Sequence, residues 1–348
     1  MEEITGMVNR VFWECPSNIA LVKYWGKKPE QLPLNPSLSF CLKKARTRTG
    51  IQLLPGFRRK LNFLYEGKPS PFARRVEHYL DLLSIEMPWI NDYSFSIESE
   101  NTFPHSAGIA SSASAFGALG LCLADLDRQL NGIPVSQEQF LHHASRLARL
   151  GSGSACRSAY PGFVWWGKSA ALKGSTDCYA IPLNPQVHPD YLNLRDAVLL
   201  VDSGAKKVSS SAGHELMNDH PYRKARISQG NVNAEALLRL LKAPDYKQFF
   251  EVVENEALSL HALMMSSTPS FLLLKPDSLV VIEKIRDFRE QSGLPIGFTI
   301  DAGPNIHFLY MEKDKEEVHH FIETELISLL KDGGWLDDCI GEGPVKVE

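Results

Sequence analysis

From Ser106 to Ser114 the chain reads Ser-Ala-Gly-Ile-Ala-Ser-Ser-Ala-Ser, a run of nearly all small residues. It follows an alternating pattern, Tyr93, Phe95 and Ile97, which predicts a strand ending at Glu100. It leads into a small-residue helix predicted from about Ser111 to Leu126. A helix that starts without bulky side chains can lie tightly on a sheet, and its backbone can approach a ligand closely. Its first turn offers free N–H groups and a partial positive charge, which suit phosphate. Ser111 and Ser112 add hydroxyls for phosphate oxygens or Mg²⁺. The Gly-Lys-Ser/Thr of a Walker loop is absent. From this segment alone, a helix capped and packed on a sheet and a phosphate cradle both stay open.

The rest of the chain mixes strands and helices. Strands are predicted at Phe12–Cys15, Leu38–Leu42, Gly50–Leu54 and Lys60–Tyr65, with the basic run Lys43–Arg48 separating two of them. A helix follows with Phe72, Val76, Tyr79, Leu80 and Leu83 on one face. Another spans Gln137 to Leu150, with Gly151 as its C-cap. Phe163–Gly167 and Cys178–Leu183 read as strands, and Asn184–Arg195, with two prolines and little pattern, is the candidate boundary between domains. Beyond it come a strand at Ala197–Val201 and helices at Ala225–Leu241, Lys247–Met264 and Ser278–Gln291. Strands Gly297–Asp301 and Ile306–Tyr310 and a last helix, Glu316–Leu330, complete the pattern. That order suggests an α+β fold rather than a doubly wound sheet. A length of 348 residues favours two domains, here 1–188 and 189–348.

Composition narrows the function classes. Hydrophobic residues make 44% of the chain and charged residues 22%, enough apolar material for a core. The formal charge of −4 gives no electrostatic reason to bind nucleic acid or an anionic membrane, so an anionic ligand needs a local cluster of donors. Six scattered cysteines without a CxxC spacing do not form a secreted disulfide scaffold or a zinc site. No signal peptide and no apolar stretch of about 18 residues is seen, and the chain reads as cytoplasmic, without a membrane span.

Three further segments carry chemistry. Gly151-Ser-Gly-Ser-Ala-Cys-Arg-Ser158 closes a run of small hydroxyl residues with Arg157, a planar group suited to carboxylate or phosphate. Ser152 and Ser154 can donate to the same anion. Asn18 to Lys28, followed by Asn35-Pro-Ser-Leu-Ser39, sets lysines and aromatics after a strand, as suits a phosphorylated ligand, although taken alone it reads as an ordinary basic turn with exposed aromatics. Thr299-Ile-Asp-Ala-Gly-Pro-Asn305 places Asp301 at a strand end beside a rigid turn, the setting of a turn former or of a well-held general base.

In order, NIALVKYWGKK, NPSLS, NTFPHSAGIASSASAF, RLARLGSGSACRSAYPGFVWW and FTIDAGPN resemble the diphosphomevalonate decarboxylase family of the GHMP kinase superfamily. KKVSSSAG at 206–213 and the stretch Leu258–His261 match more weakly. The resemblance implies a two-domain α+β GHMP-kinase-like fold with the active site in the cleft between domains. It implies ATP and Mg²⁺, phosphorylation of a tertiary 3-hydroxyl, and loss of that phosphate with CO₂ to give isopentenyl diphosphate from mevalonate 5-diphosphate. By the same resemblance Pro104, Ser106, Ala107, Gly108, Ala110, Ser111 and Ser112, with Lys207, would bind the nucleotide. Asp301 would act at the 3-hydroxyl, Arg157 would hold the substrate carboxylate, and Lys23 would lie near the reacting centre. Tyr24, Trp25, Lys27, Ser152, Ser154, Ser210 and His214 would bind the rest of the substrate. Ser211-Ala-Gly-His214 lies in a loop where other members often carry a Thr or Arg and then a Met, and His214 could alter how the phosphate end is read. Family members are often homodimers, and no metal site beyond nucleotide-bound Mg²⁺ is implied. A decarboxylase of mevalonate 5-phosphate, a kinase that stops at the phosphorylated alcohol, and an inactive metabolite-binding homologue are the alternatives. Release of ADP and CO₂ from each substrate separates them.

Overall fold

Strand β1 (Arg10–Ala20) pairs antiparallel with β2 (Ser37–Pro55), and ten of its eleven residues are at least half-buried because both faces of this sheet are covered. The computed structural model describes residues 10–56, 59–103, 109–132, 134–202, 204 and 210–347, with Ser210 and Ser211 described in backbone alone. After β2 come β3 (Leu61–Tyr65), β4 (Lys68–Pro69), α1 (Ala73–Leu83) and β5 (Tyr93–Asn101). The first half continues with α2 (Ser111–Asn131), α3 (Gln137–Gly151), β6 (Phe163–Trp166) and β7 (Ala180–Pro182). The second half runs β8 (Leu194–Leu199), α4 (Ser210–Glu215), α5 (Arg223–Leu240), α6 (Tyr246–Met265) and α7 (Pro276–Ser292). It ends with β9 (Gly297–Ile300), β10 (Ile306–Met311), α8 (Lys315–Phe321), β11 (Trp335–Cys339) and β12 (Val345–Lys346).

Among the described residues the strands form two sheets, ordered β12-β1-β2-β5-β3-β4, with β6 beside β2 and β7 beside β6, and β11-β8-β10-β9. Helices α1, α2 and α3 cover one face of the first sheet, where Tyr79, Phe116, Phe140 and Leu147 meet Ile51, Phe95 and Ile97. The opposite face carries Ile19, Leu38, Phe40 and Trp165, which share a core with Val198 of β8, Leu309 of β10 and Phe249 and Phe250 of α6. The far side of the second sheet packs Phe298 and Phe308 on Ile282 of α7 and Val318 of α8. This is the expected α+β class. The shared core is the seam along which β1 and β9 both end.

Three local expectations change. Leu38–Leu42 and Gly50–Leu54 are one strand, because the basic run between them keeps its backbone satisfied. The carboxylate of Asp338, in β11, accepts the N–H groups of Lys43, Lys44 and Ala45 at 3.0, 2.9 and 2.8 Å. Gly151 is the last residue of α3 rather than a left-handed cap, and Ser152 follows in extended backbone. A Cβ at Gly151 would run into the Phe116 ring, which is why the residue is glycine. The predicted helix Glu316–Leu330 is regular only through Phe321 and then widens into a π turn at Ile322–Leu326. Buried Val318, Ile322, Leu326 and Leu330 recur every four residues. At 3.6 residues per turn that spacing drifts by about 40° per step, so a regular helix would carry them off the core.

Candidate active site

Past Ala20 the chain leaves the ladder. The N–H groups of Leu21 and Val22 both reach the Leu38 carbonyl, and Lys23 is left buried beneath the seam. Its ammonium lies 2.7 Å from Asp301 Oδ1, with side-chain exposures of 3% and 26% for the pair. Asp301 stands one residue beyond β9 in a turn held from several sides. Gly303 N–H donates to its carbonyl at 2.7 Å, and His261 Nε2 reaches the same oxygen at 3.1 Å. A carbonyl accepts, so the imidazole donates there. Burial pushes the His261 pKa down to about 4, which keeps the ring neutral. Ser278 Oγ donates to the Pro304 carbonyl at 2.8 Å and Asn305 Oδ1 accepts from Asp202 N–H at 2.9 Å, anchoring the turn to α7 and to the segment that follows β8.

Arg157 lies in a 3-10 stretch, Gly153–Ala159, that follows α3. Its side chain is buried, with Nε donating to Asn18 Oδ1 at 3.1 Å and Nη1 to Ser37 Oγ at 2.8 Å, over the Trp166 ring. Among the described residues no carboxylate pairs with it. Burial lowers its pKa from the usual arginine value, and Cys156 and the Asp301 charge work in the opposite direction. Ser152 Oγ lies 3.5 Å from Ser112 Oγ, so this loop adjoins the start of α2. The Ser154 carbonyl accepts from Asn18 Nδ2 at 3.1 Å.

The aromatic turn packs against this loop. Tyr24 donates to the Gln31 carbonyl at 2.9 Å, and a Cβ at Gly153 would come within 2.6 Å of its hydroxyl. His214, in α4, sits 4.3 Å from the Tyr24 ring and 4.9 Å from Trp25 between centroids. Gly26 N–H donates to His214 Nδ1 at 3.0 Å, which fixes the neutral tautomer with its proton on Nε2. Burial first, then the Lys27 charge, push its pKa down to about 3. Lys27 itself donates to Gln31 Oε1 at 3.1 Å.

Beside α2 a cavity of about 580 Å³ is lined by Phe63, Tyr65, Phe72 and Arg75 and bounded by Ser111 and Ser112. Ala110 precedes the helix with φ at +22°. Pro104, Ser106, Ala107, Gly108 and Lys207 lie outside the described residues, and Ser210 begins α4 with its side chain undescribed. No group of three or more His, Cys, Asp or Glu suited to a metal occurs among the described residues, and none of their helices is long and apolar enough to cross a membrane.

Residues 15–180 match the family model for a diphosphomevalonate decarboxylase-like N-terminal domain, and residues 197–331 match that for a mevalonate 5-diphosphate decarboxylase C-terminal domain. A diphosphomevalonate decarboxylase of Aspergillus fumigatus is 31% identical over 338 residues, covering 92% of this chain and 81% of that one. The chain belongs to the diphosphomevalonate decarboxylase family. It is an enzyme of that type. The family likeness extends to three dimensions. The crystal structure of mevalonate diphosphate decarboxylase from Staphylococcus aureus superposes with a TM-score of 0.84 at 31% identity, covering 98% of this chain and 99% of that one. A structure of "MDDEF in complex with MVAPP, AMPPCP and Magnesium" gives 0.82 at 29% identity, with 97% and 99% covered.

Several side chains at this candidate site are not singled out by the sequence. Asn18 and Ser37 lie inside quoted segments, yet their service to Arg157 depends on β1 and β2 being neighbours. Glu256 accepts the Lys23 N–H at 2.8 Å, and Arg226 donates to the Lys23 carbonyl at 3.1 Å. Their signal was a charge on the apolar stripe of a helix. Glu256 falls in register with buried Phe249, Val253, Leu260 and Met264, and Arg226 with Gly230, Ala234 and Leu237.

Proposed function

We propose that this enzyme phosphorylates the 3-hydroxyl of mevalonate 5-diphosphate with ATP and then eliminates phosphate and CO₂, giving isopentenyl diphosphate and ADP. One juxtaposition supports this most. A lysine–aspartate pair at 2.7 Å lies within electrostatic reach of a buried arginine whose hydrogen-bond partners are both neutral. A kinase needs the first element; departure of a carboxylate gives a reason for the second.

Asp301 would orient the 3-hydroxyl and accept its proton as the oxygen is phosphorylated, while the Lys23 ammonium balances charge beside it. Arg157 would take the substrate carboxylate in a bidentate grip, its plane set by Asn18 and Ser37. That grip would hold the C–C bond antiperiplanar to the leaving phosphate. The C–O pair then leaves with phosphate, and the C–C pair becomes the new double bond as CO₂ departs. Tyr24, Trp25, Lys27, Ser152, Ser154, Ser210 and His214 would surround the diphosphate end, with His214 presenting a neutral Nε2–H donor.

The cavity beside α2 has the volume and aromatic walls of a small-molecule pocket, which fits the base of ATP. The start of α2, with Ala110, Ser111 and Ser112, would face the phosphates. Pro104, Ser106, Ala107, Gly108 and Lys207 are proposed there on family resemblance. Mg²⁺ supplies neutralisation of phosphate charge when bound, and the Ser111 and Ser112 hydroxyls are the described donors of the right chemistry. A homodimer, as in other family members, is part of the same proposal and is tested by light scattering.

The test follows ADP and CO₂ together from mevalonate, its 5-phosphate and its 5-diphosphate, each with ATP and Mg²⁺. One-for-one release from the diphosphate is expected. The same yield from the monophosphate would change the substrate, ADP without CO₂ would leave a kinase, and neither product from any of the three would remove the proposal. Asp301→Asn should lower kcat by about 10²–10⁴-fold with ATP affinity retained, measured by ADP release and by nucleotide titration. A fully active variant would remove Asp301 from the reaction.

A further inference from the structure

We propose that Glu256 and Arg226 are positioning residues for the Lys23–Asp301 pair, acting through the main chain of Lys23. The inference rests on the reading of that pair as the reacting corner. The two side chains form a buried ion pair, 0% and 1% exposed for Glu256 and Arg226. Arg226 Nη1 reaches Glu256 Oε1 at 2.7 Å and Nη2 reaches Oε2 at 2.6 Å, a bidentate grip that already balances both charges. Each partner then makes a further bond to one and the same residue. Glu256 Oε2 accepts the Lys23 N–H at 2.8 Å, and Arg226 Nη2 donates to the Lys23 carbonyl at 3.1 Å, a carbonyl that Asn35 Nδ2 also approaches at 3.3 Å. Asn233 Nδ2 satisfies Glu256 Oε1 at 2.7 Å and holds the carboxylate in its plane.

With its amide and carbonyl both fixed, Lys23 has its side-chain torsions left to set where the ammonium goes. It goes to Asp301 Oδ1. The same helix governs the other member of that pair. His261, five residues beyond Glu256 on α6, donates to the Asp301 carbonyl at 3.1 Å. Five residues rise about 7.5 Å along an α-helix. Helix α6 therefore spans the seam as a fixed ruler, with the loop after β1 tied at one mark and the turn after β9 tied at the other. An ion pair serving stability alone has no need to bracket a single residue from both sides, and a well-packed apolar pair would replace it at no loss.

Two variants test this. Arg226→Met with Glu256→Leu removes both charges together, so no buried ion is stranded. Glu256→Gln keeps an acceptor for the Lys23 amide but loosens its hold on Arg226. For each, kcat, KM for ATP, the thermal midpoint and amide hydrogen exchange over residues 21–25 are compared with the wild type. The expected result is a kcat lower by about 10²-fold in the double variant, as for a reacting group misplaced by an ångström, with KM for ATP little changed. Exchange at 21–25 should rise by about tenfold more than elsewhere in the chain, and Glu256→Gln should fall between the two. A folded double variant with wild-type kcat would overturn the inference. So would exchange at 21–25 that is unchanged or that rises equally across the molecule. Should the wild type turn over none of the three substrates, the proposed function fails, and exchange in Glu256→Gln still decides the clamp.

Discussion

Arg157 and Arg226 are both buried at the seam, and the molecule treats their charges in opposite ways. Arg226 meets its counter-ion inside the fold, bound at two points by Glu256. Arg157 meets an amide oxygen and a hydroxyl, Asn18 Oδ1 and Ser37 Oγ, which orient its plane without cancelling its charge. A charge held dry without a counter-ion costs free energy that packing elsewhere must offset. The contrast teaches which arginine has its charge balanced within the fold and which, under the proposed function, is left to meet the substrate's carboxylate.

The widest separation between the two should come from stability. Arg226→Met leaves Glu256 as an uncompensated buried charge and is expected to lose about 3–5 kcal/mol, read by urea unfolding. Arg157→Met strands no carboxylate. It should change stability by no more than about 1–2 kcal/mol while lowering kcat by about 10²–10³-fold, the scale for losing one preorganised charge donor. If Arg157→Met unfolded as readily as Arg226→Met, the distinction would collapse and Arg157 would be a structural ion. A ligand sharpens the same point. Mevalonate 5-diphosphate at a hundred times its Kd should stabilise the wild type by about 2.7 kcal/mol. The same concentration should stabilise Arg157→Met far less, as followed by thermal shift.

The histidines add an effect that depends on pH. His214 and His261 are neutral in the fold, with pKa values pushed down to about 3 and about 4 by burial, whereas an unfolded chain protonates them near 6.5. The unfolded state thus binds more protons as pH falls. Their contribution to stability is complete above about pH 6.5 and is lost progressively toward pH 4 and 3. Each group contributes up to about 1.4 kcal/mol per pH unit. Urea midpoints should therefore fall between pH 6.5 and 5, and His214→Gln should flatten part of that slope. An unchanged slope would mean that His214 takes up its proton in the folded state, despite the Lys27 and Arg157 charges that oppose it.

Lys23, Arg157 and Asp301 became candidates for a local reason, the family resemblance of the short segments that hold them; taken alone, the Lys23 segment reads as an ordinary basic turn and Asp301 as a turn former. The strand and helix order was also readable locally, through periodicity. What escaped was long-range. Asp338 makes β2 continuous from nearly 300 residues away, and no pattern within Lys43–Arg48 announces it. Glu256 and Arg226 each look like a flaw in an apolar stripe until α5 and α6 are set side by side. Strand β12 is two residues long, too short for alternation to register.

That two-residue strand has a consequence in time. It lies along β1 at the edge of the first sheet, pairing Trp13 with Lys346 and Glu14 with Val345, and Lys346 Nζ reaches the buried Asp125 carboxylate at 2.8 Å. On a ribosome adding roughly 5–20 residues per second, β1 emerges some tens of seconds before its edge partner exists. Through that interval the nascent first sheet presents a raw border to its neighbours on the polysome. Closure of that border therefore waits until Val345 and Lys346 have been made and can reach β1.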